Sequence, residues 1–284
     1  MEVCMEMVKL GGLVGASVAF CCVALSAQVS AKQEIAAERH GRASTFEVAC
    51  RLTKPRIWTG ADGDVLPYRL HVPEKAEPGR RYPLVIHMHG AGSRGTNNLD
   101  QIRTGGANFI GWASARGEEF VFLAPQCPKG KQWVDTPWGS REHRMSETPT
   151  PWMRMALDLI DDVVRRYPVD RDRIYVMGIS MGGYATWELL QRRPSMFAAA
   201  LPCCGGGDVT LAPALTDISI WSFHGGADKV VPTFRSQSMV AAIRAAGGRK
   251  VHYREYPGVG HNAWTPTFTD PSVFEWLWAR RRAE

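Results

Sequence analysis

The sequence has no lysine/arginine stripe with aromatic residues set between the charges. That removes the electrostatic footprint of a nucleic-acid interface. The 34 Lys+Arg exceed the 28 Asp+Glu by only six, and apart from the terminal ARRRAE the cations are scattered, as on a solvated surface. There is no CxxC and no Cys/His pair at ligand spacing, so no zinc site is expected, and no other metal or cofactor. There is no internal repeat, which excludes a solenoid or a propeller. There is no Pro/Gly/Ser-rich linker, so a single large domain is expected.

Cysteine is sparse in the body of the chain. Three of the seven, Cys4, Cys21 and Cys22, lie in or beside an uncharged apolar stretch, LGGLVGASVAFCCVALSAQVSA, from Leu10 to Ala31. Lys9 precedes it, and the small residues of LSA or VSA end it. This is the layout of a secretory signal peptide over 1–31. A flexible lead-in over 32–44 and a catalytic domain over 45–284 are expected to follow. The implied location is secreted or periplasmic, with no stable membrane association after signal removal. An uncleaved anchor is the alternative, since the stretch is just long enough to span. The four remaining cysteines, Cys50, Cys127, Cys203 and Cys204, are an even count that permits disulfides. Adjacent Cys203 and Cys204 are a poor pair for one another.

From there apolar runs alternate with helical patterns. LPYRLHVP (66–73), YPLVIHMHG (82–90), EFVFLAPQ (119–126), RIYVMGIS (173–180), MFAAALPCC (196–204), ISIWSFHGG (218–226) and VHYREYPG (251–258) read as strands. Helices are expected over 151–167, 183–192 and 236–246, and after Asp270-Pro271. The first has Thr150 as cap and Pro151 at its first position. This alternation means an α/β fold: a mainly parallel, doubly wound sheet of about eight strands with helices on both faces. The stretches 91–117 and 127–150 are less regular. Both follow strand C-terminal ends, where open α/β sheets place their sites.

GISMGGYATW (178–187) places Ser180 between Gly178 and Gly182 at the junction of a strand and a helix. That is the setting of a nucleophile elbow. The turn is so sharp that side chains at the two glycines would collide with their neighbours. The serine hydroxyl then stands above the sheet at the positive end of a helix. A serine needs a base and an acid, in the order Ser, acid, His. Downstream lie His224, His252 and His261. His252 falls inside a strand pattern, and His224, at a strand end, suits a structural or pocket-wall role. His261, in the glycine-rich PGVGHNAW after the last strand, is the expected base. Asp228 in HGGADKVVP is the expected acid, with Asp208 as alternative. The oxyanion donors are expected to be the backbone N–H groups of Met181 and Ala91.

Together YPLVIHMHGAGSRG, APQCPKGKQW, DRIYVMGISMGGYATWEL, FHGGADKVVP and YPGVGHNAW resemble secreted bacterial α/β-hydrolases of the phospholipase/peptidase/esterase type. Family-one carbohydrate esterases (feruloyl and acetylxylan esterases) and polyhydroxyalkanoate depolymerase-like esterases are related to these. The resemblance covers about 45–283. It implies the α/β-hydrolase fold and a serine carboxylic ester hydrolase working through an acyl-enzyme. The substrates expected are feruloyl, acetyl, other polymer-linked or short-chain esters. A serine peptidase of the prolyl-oligopeptidase type and a non-catalytic binding protein on this fold are the alternatives. The chain is short for a separate lid, so an open site is expected. Of Trp133, Trp138, Trp152 and Trp264, the first and last are best placed to line it, with Asn97, Asn98 and His224 as further substrate contacts. The partner is an ester substrate, and the expected state is a monomer or weak homo-oligomer.

Overall fold

An apolar run of five to eight residues becomes a central strand when helices cover both its faces. The computed structural model, which describes residues 43–60, 63–74 and 76–282, places a strand in each run named above, VHYREYPG at the sheet edge. The strands are β1 (Lys54–Thr59), β2 (Val65–His71), β3 (Tyr82–Met88), β4 (Val121–Pro125), β5 (Val169–Ile179), β6 (Ala199–Cys203), β7 (Ser219–Gly225) and β8 (Val251–Tyr256). They form one sheet in the order β1-β2-β4-β3-β5-β6-β7-β8. β1–β2 and β2–β4 are antiparallel, and every other pair is parallel. Residues from Thr45 onward group as one compact unit. The expected signal peptide and all but the last two residues of the lead-in lie outside the described residues.

The period of two divides the core. Leu84, Ile86 and Met88 of β3, with Ile174 and Val176 of β5, face one helical layer. That layer is α3 (Pro151–Arg166), α4 (Met181–Arg192) and α5 (Phe234–Ala245). Val85, Tyr175, Met177 and Ile179 face the other. There lie α1 (Thr45–Leu52), α2 (Gly106–Ala115), α6 (Trp264–Thr269) and α7 (Pro271–Trp278). α3 starts as its sequence demands, with Thr150 Oγ accepting the N–H of Met153 at 3.1 Å and Pro151 at the first position.

Within the less regular stretch 91–117 the structure forms the helix α2. GANFIGWASA has no clear polar stripe, because half of α2 is buried, with Phe109, Ile110 and Ala113 in the core beside the sheet and α7, and small or aromatic residues fill the rest. Without a clear polar face there is no 3.6-residue period to detect. Gly111 permits the close approach of α1, since a Cβ there would lie 2.5 Å from Thr45 Cγ2. The edge strand β1 was equally illegible, being exposed at five of six positions and carrying Pro55.

The topology dictates where a site can form. From β3 the chain winds first to β4 on one side, then to β5 on the other. At such a switch point the loops leaving two neighbouring strands diverge and open a crevice at their C-terminal ends. Those loops begin at His89 and at Ser180.

Three buried histidines predict a pH dependence of stability. Burial pushes His87 down to about 3, His89 to about 4 and His143 to about 4. An unfolded chain takes up these protons near the ordinary value of about 6.5. Between that value and the folded ones the unfolded state binds more protons, so stability is full above pH 6.5 and falls as pH drops towards 4. The slope is about 1.4 kcal/mol per pH unit for each proton. Thermal midpoints measured from pH 7.5 to 4 should decline steadily; a flat profile would show that these imidazoles are free to charge in the folded protein.

Candidate active site

β5 ends at Ile179 and α4 begins at Met181, so Ser180 alone makes the turn. Its backbone sits at φ 53° and ψ −117°, a conformation that costs a non-glycine residue on the order of 1–3 kcal/mol. Main-chain bonds hold it there. Ser180 N–H donates to the Cys203 carbonyl at 2.8 Å, and the Ser180 carbonyl accepts Tyr184 N–H at 3.1 Å. The flanking glycines are sterically obligatory. A Cβ on Gly178 would lie 2.1 Å from the Gly182 carbonyl oxygen, and one on Gly182 would lie 1.9 Å from that of Met88.

The structure brings Ser180, His261 and Asp228 into one chain of hydrogen bonds. Ser180 Oγ is 2.8 Å from His261 Nε2, and His261 Nδ1 is 2.7 Å from Asp228 Oδ2. His261 hangs from the β8–α6 loop, and Asp228 follows β7. The loops are pressed together at glycines: a Cβ on Gly225 would meet the Gly260 carbonyl oxygen at 2.0 Å. The Asp228 side chain is fully enclosed, and His261 keeps 21% of its side-chain surface exposed. Burial alone would raise the Asp228 pKa. It is outweighed by hydrogen bonds from His224, His261 and the N–H groups of Val231 and Val230, which hold the carboxyl well below its usual range. A carboxylate held ionised in this way fixes the tautomer of the imidazole beside it and stabilises that ring when it takes up a proton.

The crevice wall on the β3 side rests on residues whose roles the sequence left unread. His89 Nε2 faces the N–H of Cys127 at 2.9 Å and therefore accepts, so His89 Nδ1 carries the proton and donates to the Gly90 carbonyl at 2.7 Å. This neutral tautomer agrees with its lowered pKa and pins the backbone just before Ala91. Gln126 ties the same loop to the end of β4, accepting from Asn98 N–H and donating to the Ser93 carbonyl and Asn97 Oδ1. Buried Arg69 donates to the carbonyls of Asn98, Thr53 and Cys50 and to Thr53 Oγ1. Met181 opens α4 and Ala91 opens a 3-10 turn, so the N–H of each is a first-turn donor with no carbonyl of its own helix to reach. HMHG carries the one local signal for this support, a histidine placed directly before the glycine.

Three of the expected substrate contacts, Trp133, Asn98 and His224, are structural instead, while Asn97 stays exposed. Trp133 is fully buried, with its indole N–H donating to the His89 carbonyl at 3.3 Å, and has no surface to offer a ligand. Asn98 is a buried turn residue at φ 51°, its amide spent on the Arg56 carbonyl and on Gln101. Asn97 caps its own turn through Leu99 N–H, Asp100 N–H and the Asp100 carboxylate. His224 is fully buried behind Asp228, not on a pocket wall. Trp264 is different: half-buried at the start of α6, its ring meets His261 edge-on with centroids 5.1 Å apart. Trp138 passes under the Arg94 guanidinium at 6.0 Å, and its carbonyl accepts the Tyr184 hydroxyl. Trp152, half-buried at the start of α3, packs against the core.

Asp208, the alternative acid, is occupied elsewhere by Arg144, Met145 N–H and Thr210. All four cysteines among the described residues are free thiols. Burial pushes the Cys127 thiol up to about 12, which keeps it protonated and inert. Cys204, His224 and Asp228 bring three ligating atoms within 4.8 Å of one another. The imidazole and the carboxylate are already engaged in protein hydrogen bonds, and the cluster is not read as a metal site.

With this geometry in view, a model of the Phospholipase/Carboxylesterase family matches residues 71–274. The chain belongs to that family. The matched span runs from the end of β2 to the middle of α7 and so takes in Ser180, Asp228 and His261. Among similar proteins, a bifunctional acetylxylan esterase/xylanase of Neocallimastix patriciarum is 24% identical over 216 residues, which is 73% of this chain and 29% of that protein. The crystal structure of a thermostable esterase matches with a TM-score of 0.73 at 35% identity, over 81% of this chain and 64% of that one. The chain therefore spans less than two thirds of the length of either. A ferulic acid esterase, 16% identical, shares the fold with a TM-score of 0.61 over 80% of this chain and 97% of its own. Among the described residues of this family member, no helix is long and apolar enough to cross a membrane.

Proposed function

We propose that this chain is a serine carboxylic ester hydrolase with Ser180 as nucleophile, His261 as base and Asp228 as the acid that orients it. The observation that carries the reading is the unbroken relay at 2.8 and 2.7 Å, mounted on a strained elbow at a topological switch point. Ser180 Oγ attacks the ester carbonyl while its proton passes to His261 Nε2. The oxyanion is held by the N–H groups of Met181 and Ala91, and the alcohol leaves with the proton. Water, activated by the same imidazole, then releases the acid. Trp264, beside His261, offers an aromatic edge to the substrate. The acetylxylan and ferulic acid esterases among its relatives support short acyl or aromatic acyl esters carried on a polymer. The uncharged apolar stretch from Leu10 to Ala31 supports an exported protein.

Hydrolysis of p-nitrophenyl acetate, acetylated xylan, methyl ferulate and a chromogenic peptide, each with the Ser180→Ala protein as blank, tests this. Ester cleavage well above the blank is expected. Cleavage of the peptide alone would replace the reading with the serine peptidase, and no excess over the blank on any substrate would leave a binding protein.

A further inference from the structure

Behind Asp228 lies a second imidazole that the relay does not require. His224, at the end of β7, is fully buried. Its Nε2 is 2.9 Å from the Val231 carbonyl and 3.3 Å from Asp228 Oδ2. A carbonyl and a carboxylate only accept, so this nitrogen bears a hydrogen. Its Nδ1 is 2.8 Å from Ser236 Oγ, which is 3.0 Å from the Gly205 carbonyl. Ser236 has one hydroxyl hydrogen. With that hydrogen given to the Gly205 carbonyl, which can only accept, a lone pair faces Nδ1 and Nδ1 donates as well. The ring then carries both protons.

We propose that His224 is a positioning residue, held as an imidazolium behind Asp228, that sets how strongly this carboxylate supports a proton on His261. The inference rests on the esterase reading above. Two imidazoles share one carboxylate oxygen, Oδ2, while Oδ1 is occupied by Val230 and Val231 N–H at 2.8 and 3.0 Å. The positive charge on His224 offsets part of the field that Asp228 exerts on His261. Protonation of the base is thereby made less favourable, and the site stays active to lower pH than a bare Ser-His-Asp relay would. The raised pKa of His224 is consistent with this: burial opposes its charge, and the Asp228 carboxylate, the Cys204 sulfur and the Val231 carbonyl together outweigh it. The other groups facing it are the Cys204 thiol after β6, the Ser236 hydroxyl on α5, and Glu255, its register partner on β8. The Glu255 carboxylate is itself engaged by the Tyr253 hydroxyl and the Gln237 amide.

The test is the pH profile of kcat/KM for p-nitrophenyl acetate from pH 4.5 to 9. His224→Gln keeps an N–H for Val231 and removes the charge. The midpoint of its acidic limb should rise by about one pH unit, the effect of one nearby charge at intermediate dielectric. Ser236→Ala removes the acceptor at Nδ1, together with the donor to the Gly205 carbonyl, and should move the midpoint the same way. A purely structural role would lower the plateau in both variants and leave the midpoint in place, and that outcome overturns the proposal. A measurement on the wild type stands apart from folding of the variants. Nitrogen-15 spectra of labelled histidines at pH 7 should show one imidazole protonated at both nitrogens and assignable to His224; a singly protonated His224 overturns the proposal. Failure of the esterase reading is distinct, because Ser180→Ala would then match the wild type at every pH.

Discussion

Ser180→Ala should lower kcat for p-nitrophenyl acetate by on the order of 10⁵–10⁶, and His261→Ala should cost nearly as much. The reason is the single proton path. Ser180 Oγ has one nitrogen partner, His261 Nε2, so removing either end leaves no route for the proton. The double variant should therefore be no slower than the worse single one, because the two residues act as a unit. Multiplying losses in the double variant would show that each acts alone, and equal rates for Ser180→Ala and wild type would remove Ser180 from the chemistry. Folding should survive both changes. Ser180→Ala deletes one hydroxyl and keeps the two main-chain bonds that hold the elbow, and His261 is partly exposed.

Gly182→Ala should have the largest structural effect of any small substitution near the site. The added Cβ would lie 1.9 Å from the Met88 carbonyl oxygen and 2.8 Å from that of His89. Both are main-chain atoms at the end of a central strand, so no side-chain rotation relieves the clash. The strand and the helix must separate, which opens the core beneath Ser180. A destabilisation of about 4 kcal/mol or more places it among the severe point changes. For a domain of this size that is roughly 10 °C or more in thermal midpoint, or loss of soluble protein. Gly92→Ala, in the neighbouring loop, is the control, because a Cβ there meets nothing within 4 Å. A Gly182→Ala protein as stable as this control would mean that the elbow is not packed as described.

The legible parts of the chain share a local cause. The central strands appear as apolar runs because helices cover both faces of the sheet, whereas β2 and the edge strand β8 show mixed apolar and polar patterns. The elbow is legible because Gly178, Ser180 and Gly182 answer a steric demand confined to five residues. The order of Ser180, Asp228 and His261 follows from the winding of the sheet, which places them after β5, β7 and β8. α1, α2 and β1 were not legible. α2 is half buried and shows no clear polar stripe, β1 is an exposed edge, and α1 spans only eight residues.

What the sequence alone determined is the fold class and the glycine-flanked turn at Ser180, since these depend on spacing along the chain. Only the tertiary structure decided what each side chain faces. Trp133 has the composition of a pocket wall and is instead a buried post under His89. His89 and Gln126 are two polar residues at strand ends whose partners lie 38 and 28 positions away in the chain. His224 looks in sequence like any histidine after a strand. Its place behind Asp228 comes from a turn that folds Val231 and Ser236 back onto its two nitrogens. The physical reason is common to all three: a hydrogen bond is set by distance in space, and the sequence records only distance along the chain.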